Sequence, residues 1–118
     1  TVLIVDDNVD AAEMLALALR LLGHDVTVAN GGQKALAAVA TRSDWDAFIL
    51  DIGMPGITGL ELAGQLRNHI GDRPVRFIAL TGYGQAQDHA LTTAAGFDHH
   101  MVKPADIDEI QRQLAEIG

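Results

Sequence analysis

At 118 residues, 48% of them hydrophobic, the chain has the size of one compact domain and enough apolar material for a core. Its formal charge of −8 comes from 16 acidic residues against 8 Lys plus Arg, and its only lysines are Lys34 and Lys103, which argues against nucleic-acid binding. The absence of Cys removes disulfides and thiolate metal sites, and no apolar run approaches the ~20 residues of a membrane span. No signal-peptide pattern precedes the first strand, and the lack of Cys is compatible with the cytoplasm, the expected location of a domain without membrane contact. A start at Thr1, already inside a strand pattern, suggests a piece of a longer protein.

Val2 to Val5 is a short apolar run that reads as a strand buried on both faces and ends in Asp6-Asp7. Asn8 suits a helix cap, Ala12, Leu15, Leu19 and Leu22 recur at helical spacing, and Gly23 stops the pattern. A second strand is expected over Asp25 to Ala29 and an Ala-rich helix from Gln33 to Thr41. A third strand, Trp45 to Leu50, ends at Asp51, and the Gly- and Pro-containing stretch Gly53 to Gly59 is a loop. Leu60, Ala63, Leu66 and Ile70 mark a third helix. A fourth strand, Val75 to Leu80, ends at Thr81, and Gly82 and Gly84 make a loop before a polar helix from Gln85 to Ala95. Phe97 to Val102 is a fifth strand ending at Lys103-Pro104, and Ile107, Ile110, Leu114 and Ile117 give the last helix its inward stripe.

Five strands alternating with five helices imply an α/β fold with a doubly wound parallel sheet in a single domain over residues 1–118. In such sheets ligands sit beyond the carboxyl ends of the strands, and there the sequence places Asp6, Asp7, Asp51, Thr81 and Lys103. Carboxylates gathered at one spot repel unless a cation joins them, and an all-oxygen donor set favours a hard ion such as magnesium. A carboxylate beside magnesium, an ammonium and a hydroxyl suits phosphoryl acceptance, because the cations offset the charge of the transferring group.

The motifs Asp6-Asp7, Asp51 followed by Met54-Pro55-Gly56, Thr81-Gly82 and Lys103-Pro104, in this order and each at a strand end, resemble the receiver domain of two-component response regulators and hybrid sensor histidine kinases. The resemblance covers essentially the whole chain. It implies a flavodoxin-like sheet of order 2-1-3-4-5 and phosphorelay signalling, with a phosphoryl group passing from a phospho-His to Asp51. It further implies magnesium held by Asp7, Asp51 and the Gly53 carbonyl, with Asp6 acting through water. Lys103 would pair with Asp51, Thr81 would turn toward the phosphoryl group, and the Lys103–Pro104 bond would be cis. The implied partners are a histidine kinase or phosphotransfer domain and a downstream protein that reads the surface of helix four, strand five and helix five. Such a domain is a switch, with self-phosphotransfer and autodephosphorylation, and not an enzyme with a separate substrate.

Departures from the family lie at Gly53, where many relatives carry a polar side chain, and at Tyr83; both flank the route of hydrolytic water in the family. His100 stands where many relatives carry Tyr or Phe, and is expected to act as the rotameric switch. Inward burial of an imidazole would favour its neutral form and make coupling sensitive to pH between about 6 and 7. Thr81 to Gly84 and Gly96 to His100 resemble receivers attached to hybrid sensor kinases.

Other readings are weaker. A magnesium-dependent phosphatase of similar fold needs a second Asp two residues after its nucleophile, where Asn8 stands, and an FMN binder needs a Ser/Thr/Gly-rich loop in place of Asp6-Asp7-Asn8. A degenerate docking receiver would not keep all five positions. Adjacent strand residues point to opposite faces, so His99 and His100 should not share a metal. His24, His69 and His89 read as surface residues, Met54 and Met101 as packing, and Trp45 as a cover over its strand.

Overall fold

The computed structural model describes residues 1–42, 44–53, 59–81, 95–103 and 106–115. Strands β1 (Val2–Val5), β2 (Val26–Ala29), β3 (Ala47–Asp51), β4 (Arg76–Thr81) and β5 (His99–Val102) form one parallel sheet in the order β2-β1-β3-β4-β5. The described helices are α1 (Val9–Leu21), α2 (Gly32–Ala40), α3 (Gly59–Ile70) and α4 (Ile107–Ala115). The helix expected over Gln85 to Ala95 falls almost wholly outside the described residues.

Side-chain alternation along the strands divides the core into two halves. Leu3, Val5, Phe48, Leu50, Phe77 and Ala79 pack with α2 and α3 residues such as Val39, Leu62 and Leu66. Val2, Ile4, Ala47, Ile49, Ile78 and Leu80 pack with Leu15 and Leu19 of α1 and Ile110 and Leu114 of α4. Because both faces are covered, the strands read as continuous apolar runs. Phe48 and Phe77 meet edge to face at 5.2 Å between centroids, and Phe77 meets Phe97 at 6.0 Å. Trp45 is buried beside Phe48, and its indole N–H donates to the Arg42 carbonyl.

Local signals set the helix ends. The Asn8 side chain accepts from the Ala11 N–H, Asp10 lies in the first turn, and Gly23 takes φ +97° just past the end of α1. Leu22, expected to face inward, instead caps α1 and is 49% exposed, because the helix ends one residue before it. Asp106 caps α4 by accepting from the Asp108 and Glu109 N–H groups. No helix among the described residues is long and apolar enough to cross a membrane.

Candidate functional site

Sheet register places the site residues. β1 pairs with β3 so that Val5 lies beside Leu50, and the next residue on each strand is Asp6 and Asp51. By alternation Asp6, Asp51 and Lys103 all leave their strands toward the α1 and α4 face, since they follow Ile4, Ile49 and Met101 at a spacing of two. β1 and β3 flank the point where the chain's winding reverses, where an open α/β sheet leaves a crevice. Fold and sequence thus gather the charged residues at the position suited to a ligand.

The carboxylate oxygens of Asp6, Asp7 and Asp51 approach within 4.8 Å of one another. Asp6 and Asp51 are buried and Asp7 is exposed, so the cluster has a closed floor and an open side. Lys103 Nζ lies 3.0 Å from Asp6 Oδ2 and 3.1 Å from Asp51 Oδ2 and bridges the two buried groups. The remaining oxygens are also used: Asp6 Oδ1 accepts from the Asn8 N–H and Asp51 Oδ1 from the Gly53 N–H, each at 2.9 Å. Burial pushes the Asp6 carboxyl above its usual range, against the lowering effects of the Asn8 N–H and Lys103 and with added repulsion from Asp51. For Lys103 burial works against the charge, but its bonds to Asp6 and Asp51 outweigh it and hold the ammonium above its usual range.

This donor set fits a hard divalent cation. It is all oxygen, carries three carboxylates with only one ammonium among them, and opens to solvent on the Asp7 side. The described residues offer no imidazole or thiolate to this cluster.

A second pair lies alongside. Thr81 and His100 share the opposite sheet face one pleat apart on neighbouring strands, with Thr81 Oγ1 3.2 Å from His100 Nε2 and 3.4 Å from the Met101 carbonyl. The hydroxyl has one proton to give; if Met101 takes it, the imidazole Nε2–H donates to Thr81. His99 points the other way and lies 3.3 Å from Glu109 of α4, so the two histidines do not converge on one ion.

Two contributors carried no functional signal in the sequence. Asn30 Nδ2 donates to the Asp6 carbonyl at 3.1 Å and anchors the end of β1. Gly59 opens α3 against the strand that bears Asp51: a Cβ there would stand 2.6 Å from Ile52 Cα and 2.8 Å from the Asp51 carbonyl oxygen. Its place among several loop glycines concealed this close approach. Met54, Gly82, Tyr83, Pro104 and the Lys103–Pro104 bond lie outside the described residues.

Residues 2–115 match the family described as the response regulator receiver domain. The chain is 37% identical over 114 residues to the probable transcriptional regulatory protein TcrX of Mycobacterium tuberculosis, covering 97% of this chain and 47% of that protein. It therefore spans about half the length of that curated relative. A response regulator receiver domain (CheY-like) from Methylobacillus flagellatus superposes with a TM-score of 0.87 at 32% identity, covering 99% of this chain and 97% of that one. The response regulator protein TrrA from Thermotoga maritima, solved in complex with Mg(2+)-BeF, superposes with a TM-score of 0.82 at 32% identity, covering 99% and 97%. This chain belongs to the receiver domains of two-component response regulators, the phosphoacceptor modules of phosphorelay signalling.

Proposed function

We propose that Asp51 is the phosphoryl acceptor of this receiver domain. The observation that carries the reading is that Asp51 is a buried carboxylate whose one side-chain oxygen contacts Lys103 while the whole group stands among Asp6 and Asp7. An Asp51 oxygen attacks the phosphorus of a phosphoimidazole; the O–P bond forms as the P–N bond breaks, and its electron pair returns to the leaving imidazole. Lys103 then exchanges its contact with Asp51 for the phosphoryl oxygens. Asp7, Asp51 and the Gly53 carbonyl would hold magnesium directly, with Asp6 acting through water. The bound ion offsets the charge of the incoming group. TrrA, similar to this chain at 32% identity, was solved in complex with Mg(2+)-BeF, which supports a magnesium ion as the cation of this site.

Thr81 and His100 are the proposed outward link. For the Thr81 hydroxyl to meet a phosphoryl oxygen it must leave His100 and Met101, which removes the Thr81 contact from the imidazole and would favour a change of rotamer. The change would be read by a protein partner on the surface around β5 and the last helix. The donor would be a histidine kinase or phosphotransfer domain. The domain serves as a switch, located in the cytoplasm, and makes no contact of its own with nucleic acid or membrane. Attachment to a hybrid sensor kinase rests on the stretches Thr81 to Gly84 and Gly96 to His100, and the flanking sequence of the gene decides it.

Incubation with acetyl phosphate and magnesium, followed by intact-mass measurement, tests the reading. One phosphoryl group should appear on the wild type, none on Asp51→Asn, and little on Asp7→Ala. Equal labelling of the wild type and Asp51→Asn would overturn the acceptor assignment.

A further inference from the structure

Both hydrogen-bonding groups of the Asp6 backbone are tied to the end of β2. The Asp6 N–H donates to the Ala29 carbonyl at 3.2 Å, continuing the parallel register that pairs Val5 with Ala29. The next rung of such a ladder would run from the Gly31 N–H to the Asp6 carbonyl. Instead β2 ends at Ala29 and the chain bends at Asn30 and Gly31 toward α2. The half-buried Asn30 side chain supplies the donor in place of that rung, with Nδ2 3.1 Å from the Asp6 carbonyl oxygen. A carbonyl only accepts, so the NH2 end of the amide is the one that faces it.

The Asp6 carbonyl and the Asp7 N–H share one planar peptide group, so holding the oxygen fixes the plane from which Asp7 leaves the strand. The peptide on the other side of Asp7 is held as well, since the Asn8 N–H donates to Asp6 Oδ1 at 2.9 Å. Asp7 depends on this more than its neighbours do. The Asp6 and Asp51 carboxylates are gripped by Lys103 and by backbone N–H groups. Asp7 is exposed, and its carboxylate has no hydrogen bond or ion pair among the described residues. Its place in the cluster is set by the backbone that carries it.

We propose that Asn30 is a positioning residue for the magnesium site, its side-chain amide holding the Asp6–Asp7 peptide in the orientation that keeps Asp7 beside Asp6 and Asp51. This rests on the reading of Asp7 and Asp51 as carboxylates that bind magnesium. Without the amide donor, Asp7 must be ordered when the ion binds, and the entropy lost in that step lowers the affinity.

NMR titration of the isotope-labelled chain with magnesium chloride tests this. Asn30→Leu keeps the branched shape of the side chain but has no donor and no charge. It should weaken magnesium binding about tenfold and, before any metal is added, shift the backbone amide signal of Asp7. Val39→Ala, a change in the buried core at the far end of α2, is the comparison: it should lower Tm and leave the magnesium affinity unchanged. Far-UV circular dichroism and Tm confirm that each variant is folded. Asn30→Leu binding magnesium like the wild type would overturn the proposal. So would an equal loss of affinity in Val39→Ala, which would reduce Asn30 to general stability. The reading of the site fails differently: magnesium binding indifferent to both Asp7→Ala and Asp51→Asn would overturn that reading and this proposal with it. Binding that needs both carboxylates and ignores Asn30→Leu overturns this proposal alone.

Discussion

Replacing Lys103 by Met keeps the apolar stem but removes the one ammonium that the described residues place between Asp6 and Asp51. At 3.0 and 3.1 Å each contact is worth about 5 kcal/mol of Coulomb energy at an effective dielectric of about 20. Much of that is offset by the cost of desolvating the ammonium, whose side chain is 29% exposed. What remains is the penalty of two buried carboxylates left without a counter-charge, about 2–4 kcal/mol, or a fall in Tm of about 10 °C. The pH dependence follows in sign. Without the ammonium the buried Asp6 carboxyl, already above its usual range, loses a contact that lowers it, so stability from it is present at low pH and lost as pH rises through the raised value. The gap between variant and wild type is therefore widest near neutrality and narrows on acidification. It closes again at alkaline pH, as the wild type loses its own contribution once pH climbs through the raised Lys103 value, above 10.5. Added magnesium should narrow the neutral gap, since a divalent cation replaces the lost charge. Thermal melts in chelator and in magnesium from pH 5 to 8 measure the neutral gap, its narrowing on acidification and the effect of the ion, and chelator melts carried above pH 10.5 measure the alkaline closure. A metal-free variant as stable as the wild type at pH 7 would refute the counter-ion role, and a gap indifferent to both pH and magnesium would reduce it to packing.

Asp6→Asn should raise the metal-free Tm by a few degrees at pH 7, because burial holds the wild-type carboxyl above its usual range and ionising it costs stability. The gain should vanish at pH below the unfolded value of 3.8, and the variant should gain less from magnesium than the wild type. Gly59→Ala should lose about 1–2 kcal/mol by urea unfolding, since its Cβ meets strand backbone, and should slow labelling of Asp51. Gly64→Ala, in the same helix with nothing within 4 Å of its Cβ, should instead gain about 0.5–1 kcal/mol. In NMR spectra the His100 imidazole should shift when beryllofluoride is added with magnesium; ring signals that ignore the mimic would remove His100 from the switch.

Much of this molecule is legible in the sequence because its determinants are local. Apolar runs too short for helices, separated by helical patterns, already specify a parallel sheet buried on both faces, and polar residues at the strand ends already mark the active edge. Asn8 and Gly23 bound α1 as their chemistry requires. What needed the tertiary structure depends on distance between elements. Only the register of β1 on β3 sets Asp6 beside Asp51, and only the reach of Lys103 across both shows one ammonium serving two carboxylates. Gly59 reads as an ordinary loop glycine until α3 is seen lying on the backbone of Ile52. The leucines of α1 look alike in sequence, and packing alone separates Leu19, fully buried, from Leu21, 79% exposed. Composition records how much apolar surface a helix carries; which part of it the sheet covers is decided by where the helix docks.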